Sequence, residues 1–152
     1  MHRYYRDSIE SDIDIISQNL RNSDRKEIQI LGEESAEYHL TYGYRESEVC
    51  KTIVLDGSPS AMFGIARTSW GGVPWLLSTT DFKFARFSFL KKSKKWLDNE
   101  IQSYGLLRNI VHDQNEAAIG WLKFLGFQFT GKVPVQKDNK YYYFWKFERR
   151  VI

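Results

Sequence analysis

Hydrophobic positions recur along this chain at two different spacings, and the changes from one to the other mark out its elements. In "SDIDIISQNL" (11–20), Ile13, Ile16 and Leu20 fall at helical spacing, and Ser11 or Asp12 can cap the start. "SDRKEIQIL" (23–31) has the same form, with Ser23 four before Glu27 and with Ile28 and Leu31 as an apolar edge. Two short helices are predicted. From residue 49 the period drops to two. "CKTIVLDG" alternates and ends on the turn pair Asp56-Gly57, "SAMFGIARTSW" reads as a second strand, and Gly71-Gly72 forms the next turn. "VPWLLSTT" (73–80) is a short apolar strand that closes on two hydroxyls. Three antiparallel strands joined by tight turns are the simplest arrangement.

Helical spacing then returns. Between Phe84 and Tyr104, Phe87, Leu90, Leu97, Ile101 and Tyr104 share one face while lysines take the other, and Gly105 stops the helix. "LLRNIVH" (106–112) is strand-like. "NEAAIGWLKFLGF" (115–127) is a second helix, with Ala118, Trp121, Leu122 and Leu125 as its buried stripe and Gly126 as its stop. "FQFTG" and "KYYYFWKFE" are the last strands, turning at "QKDNK". The predicted order is helices, three strands, helix, strand, helix, two strands, in one α+β domain over residues 1–152.

Composition narrows the function classes. A chain of 152 residues can close a core, and aromatics at 16% point to large side chains filling it. The net charge of +3 is too mild to indicate a nucleic-acid binder. The run "KKSKK" (91–95) reads as a solvated helix face. The one cysteine, Cys50, allows no internal disulfide and fits a reducing compartment. No stretch approaches the roughly 18 apolar residues of a membrane span, and "MHRYYRDSIESD" lacks a signal peptide's apolar segment, so a cytoplasmic location is expected. His2, His39, His112 and Cys50 stand at no metal-ligand spacing, so no metal is expected. Neither a Gly-x-Ser-x-Gly elbow nor a phosphate-binding Gly-x-x-x-x-Gly-Lys loop occurs.

The element order, with Asn115-x-x-Ala118 opening the late helix and Leu125-Gly126-Phe127 closing it, resembles the GNAT family of acetyl-CoA-dependent N-acetyltransferases. The order covers nearly the whole chain, and the residue-level likeness lies in 106–127. "VLDGSPSAMFGIA", "WLLST" and "NIVHDQNEAAIGWLKFLGF" look similar to a small phage-encoded branch that includes an internal virion protein of podophages. The resemblance implies a mostly antiparallel mixed sheet flanked by helices. In it one parallel strand pair, ending near Ser78 and His112, splays apart beside the Trp121 helix. It also implies acetyl-CoA as cofactor, whose amide-bearing pantetheine arm pairs with strand edges like an added strand. Leu77, Ser78, Thr79, Thr80, Asn115 and Leu122 would border that arm. Asn115 has a local reading as well, as a helix cap beside Asp113, whose capping-box partner is Glu116.

Family members carry Arg/Gln-x-x-Gly-x-Gly/Ala around the pyrophosphate; here the stretch is "STTDFKFAR" (78–86), with no glycine. Thr79, Thr80, Lys83 and Arg86 would supply the hydroxyls and charge there. Asp81, Phe82 and Phe84 depart from the pattern, and Thr80 or Asp81 also reads as a simple cap. Many relatives place a tyrosine acid seven residues after the asparagine, where this chain has Leu122. An acid must then come from Tyr141, Tyr142, Tyr143 or water, and a base from His112, Asp113 or Asp81. The implied acceptor is an amine of a small molecule or a host protein. The alternative is a non-catalytic phage protein of this fold, an internal virion or morphogenesis component or a host-factor binder, with a degraded CoA site.

Overall fold

The computed structural model describes residues 3–32, 35–82 and 87–151. They fall into two compact units, Met1–Arg67 with Pro74–Phe82, and Thr68–Val73 with Lys83–Ile152. The first unit contains β1 (Arg3–Asp7), α1 (Ser11–Gln18), α2 (Asn22–Leu31), α3 (Ala36–Glu46), β2 (Val49–Leu55), β3 (Ser58–Arg67) and most of β4 (Gly72–Ser78). The β2–β3 hairpin turns on Asp56 at φ 48° and Gly57 at φ 83°, the pair of positive φ values that a two-residue hairpin turn demands. Ile13, Ile16, Leu20, Ile28, Leu40 and Met62 build the core of this unit.

Two of its elements go beyond the sequence expectation. β1 lies antiparallel to β2, Arg3 opposite Leu55, although "RYYRD" is too polar to announce a strand. α3 replaces a stretch with no assigned structure; the Ser35 hydroxyl caps it by accepting from the Tyr38 N–H at 3.1 Å. Inside α3, Gly43 makes room for Trp75, whose ring would lie 2.6 Å from any added Cβ, and the Trp75 indole donates to Ser47 Oγ at 2.7 Å. The expected cap of α1 is corrected. Glu10 holds the cap position with no side-chain cap bond, and Ser11 and Asp12 belong to the helix. Asp12 instead takes the Ile9 N–H at 3.0 Å, Thr52 Oγ1 at 2.7 Å and both Arg6 guanidinium nitrogens at 2.8 and 2.9 Å.

The second unit contains α4 (Phe87–Glu100), a 3-10 turn (Ile101–Ser103), β5 (Leu106–His112), α5 (Glu116–Phe124), β6 (Gln128–Lys137) and β7 (Lys140–Arg150). The predicted stops hold. Gly105 sits at φ 79° and Gly126 at φ 90°, and the last hairpin turns on Asp138 and Asn139 at φ 52° and 64°. β5 pairs antiparallel with β7, and β7 with β6. Gly72 pairs with Leu107 in parallel register, and Gly71 beside it has no Cβ because one would sit 2.2 Å from the Leu106 carbonyl oxygen. Arg149 ties the helices of this unit together, donating to Asp98 at 2.6 Å and to the Leu125 carbonyl at 3.0 Å.

The seven strands run in the order β1-β2-β3-β4-β5-β7-β6, a mixed sheet in which β4–β5 is parallel and β1–β2, β2–β3, β5–β7 and β6–β7 are antiparallel. This is the α+β architecture expected. Among the described residues no helix is long and apolar enough to cross a membrane, and no cluster of His, Cys, Asp and Glu is arranged to hold a metal ion.

Candidate functional site

The end of β4 is built entirely within the first unit. Successive residues of a strand direct their N–H and C=O groups to opposite edges. The Thr79 N–H donates to the Ser60 carbonyl at 2.8 Å, which turns Thr79 toward β3 and Ser78 toward the other edge. That other edge is already bonded. The Ser78 N–H donates to Asp24 Oδ2 at 3.0 Å, and the Ser78 carbonyl accepts from the Arg21 N–H at 2.9 Å. The Ser78 hydroxyl also reaches Asp24 Oδ2, at 3.3 Å. Beyond it the Thr80 N–H donates to the Asn19 carbonyl at 3.2 Å, so that Leu20 and Thr79 face each other as an isolated antiparallel bridge. Asp24 is buried, and the Arg21 guanidinium lies 3.4 Å from its second oxygen.

The end of β5, in the second unit, carries ionisable side chains. His112 is buried, its ring 5.2 Å from that of Phe144 and 6.1 Å from that of Tyr142. Its Nε2 stands 3.8 Å from Asp113 Oδ1, too far for a hydrogen bond. The other Asp113 oxygen accepts from Lys132 Nζ at 3.2 Å, and Gln114 donates to Oδ1 at 3.2 Å. Burial pushes the Asp113 carboxyl upward in pKa, but the bonds from Gln114 and Lys132, the Lys132 charge and His112 outweigh it, so Asp113 lies below its ordinary value.

Asn115 is 3% exposed and holds the cap position of α5, yet its side chain makes no cap bond. The capping-box arrangement of Asp113 with Glu116 does not form either: Asp113 belongs to the turn before the helix, and its carboxylate is turned to Lys132 and Gln114. The Asn115 N–H donates to the His112 carbonyl at 3.0 Å, and its own carbonyl accepts from Ile119.

The site residues named from sequence therefore separate into groups. Ser78, Thr79 and Thr80 sit together on the end of β4, with Leu77 packed on the first unit's core. Thr79 Oγ1 is buried without a hydrogen-bond partner. His112, Asp113 and Asn115 sit together after β5. Leu122 is a buried core residue of α5, and Trp121 on the same helix stacks on Phe89 of α4 at 5.8 Å and donates to Ser93 Oγ at 3.2 Å. Lys83 and Arg86 lie outside the described residues. Sequence reasoning missed Asp24 and Arg21 at the β4 edge and Lys132 beside Asp113. The available signal was Asp24 itself, an acid in the first turn of an amphipathic helix, which carries no mark of a partner 54 residues away.

No protein-family profile matches the chain, and no curated protein matches it in sequence. Solved structures match it in fold over nearly its full length. An N-acetyltransferase from Staphylococcus aureus superposes with a TM-score of 0.72 at 11% identity, covering 99% of both chains. A ribosomal-protein-alanine N-acetyltransferase from Brucella melitensis gives 0.70 at 13% identity, over 97% of this chain and 99% of that one. The spermidine N-acetyltransferase of Vibrio cholerae, solved with CoA and spermine, gives 0.71 at 12% identity, over 97% and 95%. The chain has the GNAT-like fold.

Proposed function

We propose that this chain is a GNAT-type N-acetyltransferase, using acetyl-CoA to acylate an amine of a small molecule or of a host or phage protein. The observation that carries this reading is the group at the end of β5: a buried His112, Asp113 held by Lys132 and Gln114, and a buried Asn115 at the cap position of α5. When bound, acetyl-CoA would supply an activated thioester. On this reading the Asp113 carboxylate, kept ionised by Lys132 and Gln114, attracts a cationic amine. On the same reading His112, whose ring packs near those of Phe144 and Tyr142, takes a proton from it in the neutral imidazole form. Fold likeness at 11–13% identity supports the architecture alone.

The residues at the end of β4 do not fit the cofactor as they stand. An amide arm needs the N–H and C=O of Ser78, and both are bonded within the chain. This favours a second reading, a non-catalytic phage protein of the same fold, and Leu122 in place of a tyrosine acid favours it too. Thermal denaturation with millimolar CoA separates the two. A ligand at 100 times its dissociation constant stabilises the folded state by about 2.7 kcal/mol and raises the melting temperature. No shift would overturn the acetyltransferase reading, and co-purification with virions would support the second.

A further inference from the structure

The two bonds on the outer edge of Ser78 are chemically the two ends of an amide. Asp24 Oδ2 accepts the Ser78 N–H where a ligand carbonyl would, and the Arg21 N–H donates to the Ser78 carbonyl where a ligand N–H would. The bridge between Leu20 and Thr79 and the bond from Thr80 to Asn19 extend the same pattern by one residue. We propose that Asn19–Asp24 is a built-in competitor for an amide-bearing acyl carrier at the β4 edge, and that Asp24 is the residue that decides whether the carrier binds. The proposal rests on the acetyltransferase reading and deepens it.

Two features make the segment a displaceable occupant, and a third makes it an effective competitor. It is short: one isolated bridge with flanking bonds, against the seven paired positions of β2 with β3. Asn19–Arg21 connect α1 to α2 and Asn22–Asp24 are the first turn of α2, so the segment's bonds to β4 can break without unpairing any named strand. Its strongest contact is a side chain, the Asp24 carboxylate, whose charge strengthens its bond to the Ser78 amide and makes it a better acceptor than a neutral amide carbonyl.

The test is titration calorimetry with CoA on the wild type and three variants, each checked for folding by circular dichroism and melting. Asp24→Ala frees the Ser78 amide. Arg21→Pro deletes the donor to the Ser78 carbonyl without strain at residue 21, whose φ of −66° and ψ of 151° suit proline. Asp24→Asn keeps an oxygen that can accept from Ser78. The expected result is CoA binding tightened by about tenfold in Asp24→Ala and in Arg21→Pro, the equilibrium worth of roughly one hydrogen bond, with Asp24→Asn, a neutral acceptor, between wild type and Asp24→Ala. A purely structural role predicts the opposite, weaker binding in step with a lower melting temperature. If wild type binds and the folded variants bind equally or more weakly, the proposal fails while the acetyltransferase reading stands. If no form binds CoA, both fail.

Discussion

Two carboxylates of the first unit and two of the second are held in opposite ways. In the first, Asp12 and Asp24 are 1% and 3% exposed, and each accepts a main-chain N–H, from Ile9 and Ser78 respectively. In the second, the side chains of Asp98 and Asp113 keep 44% and 16% of their surface, and their partners are the long cations Arg149, Lys94 and Lys132. A carboxylate removed from water must be bonded at fixed positions or it destabilises the fold. The first unit thus uses charge to lock backbone, at the N-terminus of α1 and at the end of β4. The second uses it in partly solvent-exposed side-chain pairs.

Asp12 carries the largest expected effect. Asp12→Asn should cost about 3 kcal/mol, the low end for removing one partner of a buried pair because Arg6 is one-third exposed. Urea denaturation reads it directly. A loss below about 1 kcal/mol would mean that the buried carboxylate is not locking the backbone. Asp98→Asn, by contrast, should cost about 1 kcal/mol, discounted for its exposure although it accepts from Arg149 at 2.6 Å. A cost equal to that of Asp12 would erase the contrast. Lys132→Met should change stability by less than about 0.5 kcal/mol. It should nevertheless raise the Asp113 pKa, followed by carboxyl NMR, since Lys132 both bonds and faces that carboxylate. Last, Thr79→Val removes a buried hydroxyl that has no partner and should leave stability unchanged or raise it by up to about 1 kcal/mol.

Acid sharpens the same contrast. Burial works to raise the Asp12 pKa, but the bonds from Arg6, Ile9 and Thr52 outweigh it, so the folded value is depressed. The unfolded chain then binds that proton more readily than the folded one. Its stabilisation is complete above the unfolded pKa of about 3.9 and is lost as pH falls through the lower folded value. Asp12→Asn should therefore flatten the fall in stability below about pH 4. A variant whose acid limb keeps the wild-type slope would place the titrating groups elsewhere.

What the sequence disclosed was local chemistry. Asp56-Gly57, Gly105 and Gly126 marked ends because positive φ is a property of single residues and their neighbours. β1 and α3 were illegible for tertiary reasons. "RYYRD" forms a strand because β2 offers it a ladder, and its Tyr4 and Tyr5 stay 42% and 45% exposed. α3 contains Gly43, a poor helix residue whose value lies in admitting the Trp75 ring. The site divides in the same way. Ser78, His112, Asp113 and Asn115 could be named because they end strands or open a helix. Their partners could not be, since Asp24 meets Ser78 across 54 residues and Lys132 meets Asp113 across 19.

Asp24 holds the Ser78 amide before any ligand arrives. Hydrogen exchange at that amide, followed by NMR in the ligand-free protein, tests it most directly. The account predicts slow exchange in the wild type and exchange faster by about tenfold or more in folded Asp24→Ala, the loss of one protecting bond. Rapid exchange in the wild type, or the same rate in both proteins, would contradict it.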